Sequence, residues 1–333
     1  MSALIYHNGA LGDFLNILPS IDYWKKRDKI EEIVLLGKPR FGNLARSCGL
    51  INEIWDIESS RFVSLFCDIC SEELRCALKR FKKIVLFTHA DSPLVKHAVN
   101  AGPDYFYRQD PFPDKPVHIS DHHISLFSSG IFSEHNFQLK MPTEVLQKAR
   151  STLKSDNSIA ICPGSGSRVK NWPFENFKIC ASELRNSGYS ILWVSGPAEE
   201  DLCFPVEDIV LKNQDLSLLS ALFSMCRGYI GNDSGITHLA AFSGCPVIAL
   251  FGPSDPKIWS PRGEMVTVLY KPESCSPCHP QKHNHQTCSR LCMIKHEPQT
   301  VVSDLLRGQR LKGCTSGIPI PLIQKASNIG CTL

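Results

Sequence analysis

The 333-residue sequence has no uninterrupted apolar run near the ~18 residues that a bilayer-spanning helix requires. Its first residues also lack the basic-then-apolar layout of a secretory signal, so the expected compartment is the cytoplasm. Neither charge sign dominates: 36 Lys and Arg stand against 33 Asp and Glu, which argues against nucleic acid as a partner. The 21 Gly and 22 Pro follow no period, excluding a collagen-like chain, and a 43% hydrophobic composition excludes intrinsic disorder. Three phosphate or metal signatures are missing: G-x-x-x-x-G-K-[ST], a G-x-G-x-x-G after the first strand, and an Asp-x-Asp pair at a strand end. What remains is a globular chain long enough for two domains at roughly 150 residues each.

The chain opens with a short apolar strand, Ala3 to His7, a turn containing Gly9 and Gly12, and a helical pattern from Phe14 to about Arg27. Further strands are expected at 33–36, 53–57 and 84–87, with helices around 41–48 and 70–81, the grammar of a parallel α/β sheet. From Pro103 to Asn136 the pattern weakens, and the domain boundary is expected at about 150–158. Strands then resume at 159–162, 191–195, 208–211, 228–230 and 247–251, alternating with helices at 174–186, 216–225 and 236–243. The expected fold class is α/β, with two Rossmann-like parallel-sheet domains, 1–155 and 156–312, facing across a cleft. A helix from Pro298 to about Arg310 is expected to cross back to the first domain, and 313–333 to form a loose tail. In open parallel sheets ligands bind beyond the carboxyl ends of the strands, which directs attention to the residues after each one.

After the strand ending at Cys162 comes Pro163-Gly164-Ser165-Gly166-Ser167-Arg168-Val169-Lys170-Asn171-Trp172-Pro173. Small residues there let backbone amides approach an anion that Lys170 neutralises, although the same string also reads as a plain loop. Gly231-Asn232-Asp233-Ser234-Gly235-Ile236-Thr237-His238 again joins a strand end to a helix start, where free amides and the helix dipole suit a diphosphate. The plainer reading makes Asp233 or Ser234 a helix cap and His238 a half-buried ring. Glu199, after the strand ending at Ser195, reads as an acceptor of hydrogen bonds from a ribose or base, or as a first-turn helix charge. Asp13 closes the first turn, where a carboxylate serves either as a general base or as a cap. Together these residues describe a nucleotide-diphosphate receptor without a Walker motif.

The ordered set G-A-L-G-D, K-N-W-P, G-P-A-E-E and G-N-D-S-G-I-T-H-L-A-A followed by P-V-I-A-L-F-G-P-S-D-P resembles glycosyltransferase family 9, the family of the ADP-heptose:lipopolysaccharide heptosyltransferases. The resemblance runs from about residue 1 to 312. It implies the GT-B fold, donor held by the second domain and acceptor by the first, and inverting, metal-independent transfer without a cofactor. By the same resemblance Asp13 is the base, Ser165, Gly166 and Lys170 contact donor phosphates, Glu199 contacts the nucleoside, and Asp233, Ser234, Gly235 and His238 complete the diphosphate site. The implied partners are a nucleotide-diphosphate sugar, most directly ADP-heptose, and a glycolipid acceptor of the lipopolysaccharide core, with peripheral contact at the inner membrane. The alternatives are a family 9 transferase with another nucleotide sugar and surface glycan, and a noncatalytic nucleotide-sugar-binding protein. The Gly-Ser-Gly-Ser string, where many heptosyltransferases carry threonines, keeps the donor open.

Of the 15 cysteines, Cys162, Cys226 and Cys245 sit in apolar segments and are expected to be buried thiols. Cys275, Cys278, Cys288 and Cys292, with His279, His283, His285 and His296 among them, have the composition of a zinc site, of a reducible disulfide pair, or of packed thiols. Arg75, Lys79, Arg80, Lys82 and Lys83 form a basic face that reads as solvated surface, or as an attraction for a phosphorylated glycolipid at the inner membrane. His118, His122 and His123 read as loop residues.

Overall fold

A computed structural model describes residues 2–128, 137–153, 155–278 and 288–312. The first sheet contains β1 (Ser2–His7), β2 (Glu32–Gly37), β3 (Glu53–Asp56), β4 (Lys83–Phe87) and β5 (Tyr105–Gln109), all parallel, in the order β3-β2-β1-β4-β5. The second contains β6 (Ser158–Cys162), β7 (Ser190–Ser195), β8 (Ile209–Lys212), β9 (Gly228–Asn232), β10 (Val247–Phe251) and β11 (Val266–Tyr270), also parallel, in the order β11-β10-β9-β6-β7-β8. Central strands such as Glu32-Ile-Val-Leu-Leu-Gly37 are apolar almost throughout because helices cover both faces.

The helices of the first half are α1 (Leu11–Arg27), α2 (Pro39–Ser47), α3 (Glu72–Leu78), α4 (Pro93–Asn100), α5 (Ile119–Ile124) and α6 (Thr143–Thr152). Those of the second are α7 (Phe174–Asn186), α8 (Leu216–Met225), α9 (Gly235–Phe242), α10 (Pro256–Trp259), α11 (Leu291–Ile294) and α12 (Pro298–Lys312). Strand alternation divides the core. Ile5, Leu35 and Val85 of the first sheet and Ala160, Tyr229 and Ala249 of the second belong to one continuous apolar cluster. That cluster is bridged where α1 packs on α9 and α2 on α8. Their other faces, marked by Leu4 and Leu36 or by Ile161 and Trp193, build separate cores.

One expectation needs correction. The stretch expected to be weakly patterned holds β5 and α5, so His118, His122 and His123 are not plain loop residues: His118 caps α5 and the other two lie on it. At the edge of the boundary region expected at about 150–158, α6 packs on α8. Among the described residues the last helix packs against the second sheet. Its Val301, Val302 and Leu305 join the second-sheet core beside α7, because they form the apolar face that Ile161 and Trp193 need covered. The expected tail, 313–333, lies outside the described residues.

Candidate functional site

Each sheet has a point where the strand order reverses, between β1 and β4 in the first and between β6 and β9 in the second. Connections leave such neighbours in opposite directions and open a crevice. The turn carrying Asp13 follows β1, and the two anion-loop candidates follow β6 and β9. All three sequence motifs therefore belong to switch-point strands.

The two loops of the second sheet are tied together by Asn232. Its Nδ2 donates to the Pro163 carbonyl at 2.7 Å, and its Oδ1 accepts from the Trp172 amide at 3.0 Å. Ser165 Oγ lies 2.6 Å from Asn171 Oδ1 and accepts from the Ser167 amide at 3.3 Å, so this hydroxyl shapes the loop from within. Gly166 is exposed, and a Cβ added there meets nothing within 4 Å. Lys170 Nζ stands 2.8 Å from the buried Asp233 carboxylate. Ser234 caps α9, its Oγ accepting from the Thr237 amide at 3.3 Å. The cap reading of Ser234 thus holds locally, while the amides at the start of α9 stay directed outward from the helix. Glu199 is buried, and its Oε2 accepts from the Gly196 amide at 2.6 Å. Its other oxygen fills the space beside Gly164 that a Cβ would occupy.

Across the join, Asp13 is the third residue of α1, and one carboxylate oxygen accepts from the Ala10 amide at 3.0 Å. Burial raises its pKa above the ordinary aspartate value; the Ala10 hydrogen bond, Lys170 and Lys38 oppose this, and Asp233 reinforces it. The carboxylate therefore feels the Lys170–Asp233 pair of the other sheet directly. Lys38, which spans to the Gly9 carbonyl at 3.2 Å, is a cation of this site that the sequence reading missed. Behind it His7 is buried and held neutral, its pKa lowered to about 3 by burial and by Lys38.

His238 is placed differently from the other donor candidates. It is buried, its Nδ1 is 3.4 Å from Asn16 Nδ2 of α1, and its ring also bonds the Trp259 backbone. Burial lowers its pKa to about 4, so the ring is neutral near pH 7.

The cysteine cluster consists of free thiols, with Cys278 and Cys292 buried, Cys288 half-buried and Cys275 exposed. Among the described residues no group of three or more His, Cys, Asp or Glu is arranged to hold a metal ion. His279, His283 and His285 lie outside the described residues, and His296 is spent on the Phe251 carbonyl at 2.9 Å. Cys162, Cys226 and Cys245 are buried thiols, as expected, and burial pushes the first two up to about 12. The basic face is partly neutralised: Arg75 pairs with Glu72, Arg80 with Glu53, and Lys83 with Asp28. Among the described residues no helix is long and apolar enough to cross a membrane.

Two parallel α/β sheets with their switch points turned toward a common crevice define the GT-B architecture. Solved structures agree. The glycosyl transferase family 9 protein from Veillonella parvula superposes with a TM-score of 0.73 at 18% identity, covering 93% of this chain and 97% of its own. ADP-heptose LPS heptosyltransferase II of E. coli gives 0.72 at 18% identity, covering 94% and 99%. Residues 129–288 match the family model "Glycosyltransferase family 9 (heptosyltransferase)". Lipooligosaccharide heptosyltransferase 2 of Campylobacter jejuni serotype O:6 is 23% identical over 319 residues, 89% of this chain and 95% of that protein. Over residues 129–288 the chain is similar to glycosyltransferase family 9.

Proposed function

We propose that the protein is an inverting heptosyltransferase that moves heptose from ADP-heptose to a lipopolysaccharide core acceptor. The observation that carries this reading is the Asp13 carboxylate lying within electrostatic reach of the Lys170–Asp233 pair across the junction of the two sheets. Solved relatives described with ADP and with ADP-2-deoxy-2-fluoro heptose support the choice of donor.

In this mechanism Asp13 takes the proton of an acceptor hydroxyl. The hydroxyl oxygen bonds to the anomeric carbon while the bond from that carbon to the diphosphate oxygen breaks on the opposite face. The electron pair leaves with ADP. Lys170 and the amides at Ser234 and Gly235 stabilise the charge that accumulates there, a role that needs no metal ion. Lys170 exchanges Asp233 for phosphate when donor binds. Ser165 and Gly166 shape the phosphate loop, and Glu199 takes the nucleoside. The raised pKa of Asp13 brings it closer to the strength a base needs near neutral pH. On this reading the protein works at the cytoplasmic face of the inner membrane, in peripheral contact with its glycolipid acceptor.

Asp13→Asn should retain ADP binding and lose transfer by at least ~10²-fold. Unchanged turnover would end the base assignment. Thermal-shift comparison of ADP, UDP and GDP tests the donor: stabilisation by UDP or GDP but not ADP would replace heptose transfer by the alternative nucleotide sugar. Nucleotide binding without transfer to any core acceptor would leave the noncatalytic reading.

A further inference from the structure

Asn16 is a polar residue in the buried stretch of α1, flanked by the fully buried Leu15 and Ile17. An amide in such a place costs free energy unless its donors and acceptor are engaged. All of them are. Nδ2 donates to the Gly12 carbonyl at 2.8 Å and reaches His238 Nδ1 at 3.4 Å, and Oδ1 accepts from Ser120 Oγ at 2.7 Å. One side chain thus joins the turn before Asp13, the donor-side helix α9 and α5.

Both arms of this network end on the same short segment of the second half. Through His238 one arm reaches the Trp259 backbone. Through Ser120 the other reaches His118, whose Nδ1 accepts from the Ser120 amide at 3.1 Å and whose Nε2 donates to the Ser260 carbonyl at 2.8 Å. Arg262 and Asp121 add an ion pair at 2.6 Å beside it. An interface held by apolar contacts alone tolerates small slides of one helix past another, whereas a fully paired polar network has one satisfied registration.

We propose that Asn16 is a positioning residue that locks the Asp13 turn to the donor helix through His238, so that donor held at the start of α9 meets a base in fixed register. This rests on the functional reading above. His238 then acts on the reaction through Asn16 rather than as a ligand of the diphosphate, and Ser120 holds the Asn16 amide in the orientation that presents a donor to His238.

The test uses the full chain with ADP-heptose and ADP. Asn16→Asp keeps the volume and the acceptor for Ser120 but removes both donors; Asn16→Ala removes all three contacts. For each we expect kcat to fall 10- to 100-fold while the Kd of ADP changes less than threefold. The double variant Asn16→Ala/His238→Ala should be no worse than the poorer single variant. A kcat within twofold of wild type, an ADP Kd that weakens as much as kcat falls, or effects that multiply in the double variant would overturn the proposal. If Asn16→Ala fails to fold, the near-isosteric Asn16→Asp carries the test.

A wild-type protein that neither binds ADP nor transfers sugar would sink the functional reading alone. The lock is then judged by amide hydrogen exchange without nucleotide. Asn16→Asp should speed exchange at least tenfold at the starts of both α1 and α9, and faster exchange confined to α1 would refute it.

Discussion

Gly12 and Gly235 face each other where the two sheets meet, one from each of the glycine-containing motifs. A Cβ on Gly235 would lie 2.8 Å from the Gly12 amide nitrogen, whereas a Cβ on Gly12 finds its nearest neighbour, Gly235 Cα, at 3.6 Å. The approach is therefore asymmetric. Gly235→Ala must push α1 and α9 apart, and we expect transfer to fall at least ~10-fold with a Tm lowered by several degrees, the usual scale of overpacking. Gly12→Ala should stay close to wild type in both. Initial rates and thermal unfolding check this, and equal behaviour of the two variants would contradict the geometry.

The loop after β6 offers a similar contrast. A Cβ on Gly164 would fall 1.5 Å from Glu199 Oε1, so Gly164→Ala should displace Glu199, cost about 1–3 kcal/mol and weaken nucleotide binding. Gly166→Ala meets nothing within 4 Å and should unfold at the wild-type temperature. A loss confined to donor KM in Gly166→Ala would mark close approach of phosphate to that backbone; a shifted Tm would mean an unseen packing role.

The pH dependence of transfer follows from the environment of Asp13. It must be ionised to accept a proton, and burial raises its pKa above the ordinary 3.8, so kcat/KM should fall on acidification with a midpoint above that value. Lys170 favours the ionised form, so Lys170→Met should move the acid limb upward as well as raise donor KM. An acid limb unmoved in Lys170→Met would show that the two groups do not interact across the junction.

Acid should also loosen the fold. His118 and His238 are held neutral with pKa values lowered to about 4, and His7 to about 3, against 6.5 unperturbed. Below about pH 6.5 the unfolded chain takes up protons that the folded chain refuses, so stability is full above that pH and falls toward about pH 4. At about pH 5 each of these rings contributes a loss of about 2 kcal/mol. Denaturant melts at about pH 7.5 and about pH 5 measure the sum, and His118→Asn should reduce the difference. A midpoint unchanged between the two conditions would mean that these rings are not held neutral.

Much of the fold was legible because parallel strands buried on both faces are written as short apolar runs. Val247–Phe251 and the helices Phe174–Asn186 and Leu216–Met225 match their expected limits. The strands that escaped lie at edges. Tyr-Phe-Tyr-Arg-Gln of β5 and Val-Thr-Val-Leu-Tyr of β11 each pair on one side only and are partly exposed, so neither carries the uniform burial that marks an inner strand. The site was legible wherever a backbone requirement placed small residues after a strand. It was not legible for Asn16, Ser120 or Lys38. Asn16 has no motif spacing and differs from its helix only in being polar among apolar neighbours.

By itself the sequence determined the alternation of strand and helix and the positions of Asp13, Lys170 and the two loops, because backbone sterics and burial periodicity are local. Tertiary structure alone decided that β6 and β9 flank one switch point and that Gly12 meets Gly235. It also decided that His238 is spent on the helix of Asp13. These relations depend on which strands pair and which faces share a core, and such contacts join distant residues, 222 positions apart in the case of Asn16 and His238. No local pattern encodes a partner at that distance.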